Sequence, residues 1–208
     1  MTATLPQLWL LDLRAYQETS RWRTLLPGLP PERQRRALAC RWEIDGARLA
    51  CAGFLLQQTL ASAGIPISDQ VFTKNEWGKP RLVSNAVDFS LSHAGNFCVC
   101  ALDSSPLGVD VELPRISMAV AARCFHPDEA AFLQMLPEEA QKDALLRLWT
   151  AKESYLKYLG RGLRVPLDSF CVRLDENGAS LQAAASACAP KAPARRFNSI
   201  NRNKAAAG

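Results

Sequence analysis

The sequence predicts an α+β fold with two similar-sized lobes, and two observations support this. One long helical pattern is followed by several short strand-like segments in residues 1–104, and residues 105–182 begin and end with strand patterns around two helices. Hydrophobic residues make up 48% of the 208-residue chain, which is enough for one or two small packed cores. Residues 183–208, rich in alanine, proline and bases, are expected to be a disordered or aberrant tail.

The first lobe is predicted to contain one strand, one long helix and four more strands. Residues 8–11 are apolar but short, and no basic segment precedes them, so they favour a first strand over a signal peptide. Leucines and alanines at three- and four-residue spacing predict a helix from about Glu32 to Ala63, which Gly64 and Pro66 end. The strand-like segments are residues 71–73, 81–83, 89–92 and 97–102.

The second lobe is predicted to start with a strand over residues 107–113. One helix should open after residues 126–128, and another should run from about Asp143 to Leu159. A last strand is expected over residues 170–174, with a turn at Asn177 and Gly178.

Composition excludes several classes of protein. No apolar run is long enough to span a bilayer, so no membrane association is expected. The seven cysteines form no C-x-x-C pair, which favours buried or half-buried thiols in a reducing cytoplasm over a zinc site or disulfides. The net charge of +5 comes from the end of the chain, because residues 178–208 contain five bases and no acid. The rest of the chain is neutral overall, which argues against a nucleic-acid-binding role.

Two carboxylates lie on one face of the predicted strand 107–113, which reads L-G-V-D-V-E-L. Side chains alternate in a strand, so Asp110 and Glu112 point away from the core side. Carboxylates this close repel each other unless water or a cation lies between them, and Mg²⁺ prefers such oxygen ligands together with substrate phosphates. The alternative is a solvated strand face with two incidental acids.

The last predicted helix places Trp149, Glu153 and Lys157 on one face at four-residue spacing. An acid at the edge of apolar packing needs a cation nearby, or its pKa rises toward values useful to a base. The alternative is an ordinary Glu–Lys surface pair.

Residues 89–93, F-S-L-S-H, end a strand at a turn, where Ser92, His93 and turn amides could hold phosphate oxygens. A serine–histidine nucleophile pair is disfavoured because adjacent strand residues point to opposite faces. The alternative is a structural histidine.

A fourth group of candidate residues consists of arginines and one lysine, which suit a ligand with several phosphates. The alternative is a solvated helix face. Its members are Arg33, Arg35, Arg36, Arg41, Arg48 and Lys79, the last in the turn W-G-K-P.

The order of these motifs resembles that of the 4′-phosphopantetheinyl transferases, specifically the monomeric surfactin-synthetase-activating type. The resemblance rests on W-G-K-P, F-S-L-S-H, L-G-V-D-V-E and W-T-A-K-E-S-Y-L-K-Y-L-G-R-G-L, and it extends from about Pro31 to Leu181. It implies two lobes related by a pseudo-twofold axis, with coenzyme A in the cleft between them. The lobe of residues 1–104 would take the nucleotide side, and that of residues 105–182 would carry the metal and catalytic residues.

The resemblance also implies the roles of the motif residues. Asp110, Glu112 and Glu153 match the family's Mg²⁺ ligands, Glu153 matches the general base, and Lys157 matches the contact to the pyrophosphate. The positions that match coenzyme A contacts are Arg33, Arg36, Arg48, Lys79, Pro80, Ser92, His93, Asp110 and Lys157.

The implied reaction moves phosphopantetheine from coenzyme A to a serine of an apo acyl or peptidyl carrier protein and releases adenosine 3′,5′-bisphosphate. The expected enzyme is a cytoplasmic monomer. Two alternatives are a Mg²⁺-dependent phosphodiesterase or nuclease using the same carboxylates, and a nucleic-acid-binding module based on the basic tail.

The sequence departs from the family pattern at two places. Leu49 occupies a position where a polar phosphate contact can occur. After about Leu181, alanine-rich basic sequence stands where family members continue with apolar strands, as a truncated or frame-shifted end would. Missing strands would leave a sheet edge exposed.

Overall fold

A computed structural model describes residues 6–176 and 178–182. The expectations for residues 183–208 and for the turn at Asn177 lie outside this part of the chain. The chain divides into two compact units, one made of the residues up to Val111 together with Lys157–Gly160, the other of Glu112–Leu156 and the residues from Arg161 onward. The predicted α+β class is confirmed.

The described part contains helices and antiparallel strands in mixed order. The strands are β1 (Gln7–Asp12), β2 (Phe72–Lys74), β3 (Pro80–Leu82), β4 (Asp88–Ala94), β5 (Phe97–Asp103), β6 (Cys171–Asp175) and β7 (Gly178–Gln182). The α-helices are α1 (Arg14–Gln17), α2 (Pro31–Leu38), α3 (Glu43–Ser62), α4 (Met118–Cys124), α5 (Pro127–Met135) and α6 (Glu138–Leu159). Short 3₁₀ helices cover Glu18–Gly28, Ile67–Asp69, Gly162–Arg164 and Leu167–Ser169.

The prediction of one continuous helix from Glu32 to Ala63 is wrong, because the chain forms α2 and α3 with a break over residues 39–42. Trp42, the N-cap of α3, has extended backbone angles (φ −107°, ψ 132°). The break allows α2 to fold back onto α3, where a Cβ at Gly46 would lie 2.7 Å from the carbonyl oxygen of Ala37. No glycine or proline occurs in residues 39–42, so the sequence gives no stop signal there.

The core of the first unit forms between α3 and the antiparallel sheet β1-β5-β4. Cys51, Cys98 and Cys100 lie fully buried in it, and burial raises the pKa of each thiol to about 12. These three confirm the expectation of buried, inert thiols. Cys124 departs from it, because its side chain is exposed.

The prediction of a strand over residues 107–113 is also wrong, because no backbone ladder forms there. This segment is instead held by side chains of β4. The backbone N–H of Leu107 donates to Asp88 Oδ2 (2.9 Å), and that of Val109 donates to Ser90 Oγ (3.0 Å). The predicted inward side is correct for Leu107 and Val109, which pack in a buried cluster with residues of β5, but Asp110, predicted to point away from the core, is also buried.

The second unit contains α4, α5, most of α6 and the hairpin β6-β7. Helix α6 begins at Glu138, five residues before the predicted start, and α5 begins at Pro127, within the segment after which a helix was predicted. Trp149 of α6 stacks on Phe125, with ring centroids 6.1 Å apart. Among the described residues, no helix has the length and apolar character that crossing a membrane requires.

Candidate functional site

A buried carboxylate, Asp110, connects three of the predicted motifs in the first unit. Only 5% of Asp110 is exposed. Its Oδ1 atom accepts a hydrogen bond from Ser92 Oγ (2.7 Å) and an ion-pair hydrogen bond from Lys157 Nζ (2.6 Å). Ser92 comes from β4 and Lys157 from the last turn of α6. Residues up to 65 positions apart therefore meet at one carboxyl group.

The second oxygen of this carboxylate, Asp110 Oδ2, is buried and has no hydrogen-bond partner among the described residues. A buried carboxylate oxygen without a partner is unfavourable, because this atom has lost its hydrogen bonds to water and has no replacement for them. A cation can supply the missing partner, and an oxygen donor of this kind suits Mg²⁺. The residues present therefore fit a divalent cation at Asp110.

Lys79, a predicted coenzyme A contact, uses its ammonium group inside the first unit. Lys79 Nζ donates to Asp88 Oδ2 and to the carbonyl oxygen of Leu107, both at 3.0 Å. Asn75 holds the turn that carries Lys79, because its Oδ1 accepts from the backbone N–H of Lys79 (2.8 Å) and its Nδ2 donates to the carbonyl oxygen of Gly160 (2.8 Å). The lysine thus fixes the segment that leads to Asp110.

Three other predicted contacts, Arg33, Arg36 and Pro80, line one cleft of about 740 Å³ in the first unit. Burial, and then the positive charge of Arg36, lower the pKa of the Arg33 guanidinium. Gly53 makes room for this side chain, because a Cβ at position 53 would overlap Arg33 Cδ. Two guanidinium groups that repel each other in a cleft favour an anionic ligand.

Arg48 and His93 lie near the turn between β4 and β5. Arg48 donates from Nε (3.1 Å) and Nη2 (2.9 Å) to the carbonyl oxygen of Gly95 and pairs with Asp45. The imidazole of His93 keeps contact with solvent, yet its pKa is lowered, first by partial burial and then by the charges of Arg48 and Lys157. The positive charges that act on His93 make this another position where an anion would be stabilised.

The remaining predicted metal ligands, Glu112 and Glu153, belong to the second unit. Glu112 is exposed, and Glu153 is half-buried on α6, one helical turn before Lys157. Their role as metal ligands remains a prediction.

One feature that the motif analysis missed is the buried pair of Lys152 and Glu129 in the second unit. Lys152 is fully buried, and its Nζ lies 2.7 Å from Glu129 Oε1 and 2.8 Å from the carbonyl oxygen of Phe170. Glu129 also accepts from the backbone N–H groups of Val172 (2.6 Å) and His126 (3.0 Å). The signal was present in the sequence, because position 152 falls in the same helical stripe as the buried leucines 145, 148 and 156.

Comparison with known proteins gives consistent matches. The model of the 4′-phosphopantetheinyl transferase superfamily matches residues 106–199. A 4′-phosphopantetheinyl transferase of Bacillus subtilis is 37% identical over 64% of this chain and 61% of its own length. The 4′-phosphopantetheinyl transferase gsp of Aneurinibacillus migulanus is 38% identical over 62% of this chain and 54% of its own length. The 4′-phosphopantetheinyl transferase Sfp of Bacillus subtilis strain 168 is 34% identical over 72% of this chain and 68% of its own length.

The chain thus spans between about half and two-thirds of the length of these relatives. The matches support neither a nuclease nor a nucleic-acid-binding module.

Proposed function

The chain belongs to the 4′-phosphopantetheinyl transferase superfamily, and on that premise we propose that it transfers 4′-phosphopantetheine from coenzyme A to a serine of an apo acyl or peptidyl carrier protein. The second product is adenosine 3′,5′-bisphosphate. We further propose that the enzyme acts as a cytoplasmic monomer.

The observation that carries this proposal is the Asp110 carboxylate, with one oxygen held by Ser92 and Lys157 and the other without a partner among the described atoms. Three separate sequence motifs supply these residues. A purely structural carboxylate in a buried position would be expected to have both oxygens satisfied. The open oxygen supports a site that is completed by a ligand.

Asp110, Glu112 and Glu153 would hold the divalent cation, with Mg²⁺ the ion that such oxygen donors and a pyrophosphate substrate suit. When bound, this ion would neutralise charge on the pyrophosphate as the bond to its leaving oxygen breaks.

The protein's own groups would perform the remaining steps. Glu153 would take the proton of the carrier serine hydroxyl, and the serine oxygen would form the new bond to the β-phosphorus of coenzyme A. The electron pair of the broken bond would stay on the α-phosphate oxygen of the leaving nucleotide. Lys157, already beside Asp110, would donate a hydrogen bond to the pyrophosphate as negative charge shifts to that oxygen.

The cleft lined by Arg33 and Arg36 would bind the nucleotide end of coenzyme A, with the guanidinium groups toward its 3′-phosphate. Pro80 lines the same cleft and would lie on the adenine side. Ser92, His93 and Arg48 would contact the phosphates of coenzyme A. Lys79 would act mainly by fixing the chain before Asp110, since its ammonium already has two partners.

The finer architecture implied by the family is part of the proposal. It comprises a pseudo-twofold arrangement of two lobes with coenzyme A between them, residues 1–104 forming the nucleotide side and residues 105–182 carrying the catalytic groups.

The test is to incubate the chain with coenzyme A, Mg²⁺ and an apo carrier protein and to measure the carrier by intact mass spectrometry. A mass gain of one phosphopantetheine is expected with the native chain. Glu153→Gln should abolish it, because the amide cannot accept the serine proton, and EDTA should abolish it by removing the metal.

Glu176→Gln provides a matched control that changes a glutamate outside all proposed roles, and it should retain transfer. The absence of any mass gain with several apo carriers, in a chain shown to be folded by circular dichroism, would overturn the proposal.

A further inference from the structure

Three side chains of different ligand type meet in the second unit, and none of them has a role in the function proposed above. The ligand atoms of His126, Asp128 and Cys171 all lie within 4.8 Å of one another. His126 is the N-cap of α5, Asp128 lies in the first turn of that helix, and Cys171 begins β6. The cluster therefore joins the start of a helix to the start of a strand.

The local geometry already orients the imidazole. His126 Nδ1 accepts a long hydrogen bond from the backbone N–H of Asp128 (3.3 Å), so this nitrogen carries the lone pair, and a metal ion bound there would replace that hydrogen bond. The same nitrogen lies 3.7 Å from Asp128 Oδ2. Asp128 and Cys171 also line a cleft of about 300 Å³, which gives an ion a route from solvent. The oxygen and sulfur donors thus line one accessible space, and the imidazole nitrogen lies within 4.8 Å of them.

We propose that His126, Asp128 and Cys171 form a zinc-binding site that clamps the start of α5 to β6. Neutral imidazole and thiolate are donors that favour Zn²⁺, whereas Mg²⁺ takes oxygen ligands. Zn–ligand bonds of about 2.0–2.3 Å require donor atoms about 3–4 Å apart, so the three donors, which lie within 4.8 Å of one another, would move closer together when the ion binds. Asp128 is exposed and can make such a movement without disturbing the core.

The charges balance when the metal binds. Burial, and then the negative charge of Glu129, raise the pKa of the Cys171 thiol, so the group holds its proton in the free protein. Binding Zn²⁺ forms the S–Zn bond and releases that proton to solvent. The resulting thiolate and the Asp128 carboxylate cancel the two positive charges of the ion.

The simpler alternative is that His126 serves only as a helix cap and Cys171 only as a core thiol. Both roles are present in the structure, since His126 caps α5 with Glu129 as its partner and Cys171 is buried. The two interpretations differ in one measurable property, which is direct bonding between a metal ion and the Cys171 sulfur.

Cobalt(II) chloride is the probe for that bond, because a thiolate bound to Co²⁺ gives a charge-transfer absorption band in the near ultraviolet. The full chain, kept reduced with a phosphine, is titrated with Co²⁺ in the presence of excess Mg²⁺, which occupies oxygen-only sites. We expect a saturable thiolate band that Zn²⁺ displaces. Cys171→Ser should abolish the band, and the control Cys124→Ser, at the exposed cysteine, should retain it.

Two further variants keep the test decisive if Cys171→Ser does not fold. His126→Asn removes the imidazole but keeps a residue type that caps helices well. Asp128→Asn removes the negative charge of the carboxylate ligand. Each should weaken Co²⁺ binding at least about tenfold. Replacing a residue that only hydrogen-bonds to a metal ligand already lowers metal affinity by about that factor, and a direct ligand should contribute no less.

The proposal is overturned if the folded native chain shows no thiolate band up to millimolar Co²⁺. It is equally overturned if the band persists unchanged in Cys171→Ser or in both His126→Asn and Asp128→Asn. The absorption band does not depend on phosphopantetheine transfer. A negative result would therefore overturn the zinc site without bearing on the proposed function, which the mass-spectrometric assay tests.

Discussion

Two buried ion pairs use lysines five positions apart on α6, and they differ in completeness. In the second unit, Lys152 is fully buried and Glu129 is 2% exposed, and both Glu129 oxygens and the lysine have partners. In the first unit, Asp110 is equally buried, yet Oδ2 has no partner among the described residues, and the Lys157 side chain keeps 31% exposure.

A complete buried network holds a fold together, whereas an incomplete one at an accessible edge is prepared for a ligand. Leaving a carboxylate oxygen unpaired in the interior costs free energy that a ligand can later recover. We therefore expect Lys152 and Glu129 to act on stability, and we propose that Asp110 and Lys157 act on binding and chemistry. Two predictions separate these pairs, and two more test the proposed coenzyme A contacts.

The largest effect is expected from Lys152→Met. The variant leaves the Glu129 carboxylate buried without its cation, and breaking a buried pair on one side costs about 3–5 kcal/mol of unfolding free energy. Urea unfolding followed by circular dichroism measures this loss. The double variant Lys152→Met with Glu129→Leu should recover part of it, because no charge is then left unpaired. A loss below about 1 kcal/mol in the single variant would show that the pair does not stabilise the unit.

Ser92→Ala should have the next largest effect. It removes the hydroxyl that donates to Asp110 Oδ1, and leaving a buried acceptor less satisfied costs about 1–3 kcal/mol. Ser104→Ala is the matched control, because Ser104 makes a similar bond to Asp103 in an exposed position and should lose less than about 0.5 kcal/mol. Equal losses in the two variants would mean that burial of Asp110 has no energetic consequence.

Gly53→Ala tests the cleft with a smaller expected effect. The added Cβ overlaps Arg33 Cδ and should displace this guanidinium, so coenzyme A affinity should fall about tenfold, equal to about 1.4 kcal/mol. Gly28→Ala is the control, since a Cβ there meets nothing within 4 Å. Isothermal titration with coenzyme A provides the measurement. Unchanged coenzyme A affinity in Gly53→Ala would show that Arg33 is not part of the proposed coenzyme A site.

The smallest effect concerns the pH dependence at His93. Its pKa is lowered in the folded protein, so as pH falls below the usual histidine value of 6.5 the unfolded chain takes up a proton first and stability declines. Phosphates beside His93 would raise its pKa again, so coenzyme A binding should take up a proton and tighten at lower pH. His93→Asn lacks this titration, so comparing it with the native chain isolates the contribution of His93. We expect that contribution to change coenzyme A affinity by less than about tenfold between pH 7.5 and pH 6. Identical pH profiles would exclude His93 from the phosphate site.

Motif order predicted the candidate residues, because each motif is a local pattern that can be recognised without knowledge of the fold. Ser92 and Asp110 were both identified in this way. Their contact, and that of Asp110 with Lys157 over 47 positions, depended on tertiary structure and could not be read from spacing. Lys79 illustrates the same limit, since a basic residue in a turn looks available for phosphate until Asp88 is seen beside it.

The errors in the fold also have local physical causes. Residues 107–113 have the alternation of a strand, but their backbone N–H groups find side chains of Asp88 and Ser90 in place of a neighbouring backbone. The break between α2 and α3 has no stop signal in the sequence, and Gly46 gives room for the close approach of the Ala37 carbonyl where the two helices pack. Sequence patterns predict which side of a segment is buried more reliably than they predict which groups form hydrogen bonds with its backbone.

The most direct test of the central claim, that the open oxygen of Asp110 recruits a metal ion needed for transfer, is the yield of holo carrier protein as a function of Mg²⁺ concentration in Asp110→Asn. The amide keeps an oxygen for Ser92 and Lys157 and replaces Oδ2 with an NH₂ group, which cannot bind a cation. We predict a folded variant whose transfer rate falls by about 10²–10³, as for the loss of one preorganised electrostatic contact, with a strongly raised Mg²⁺ requirement. Native rate with native Mg²⁺ dependence would contradict the claim.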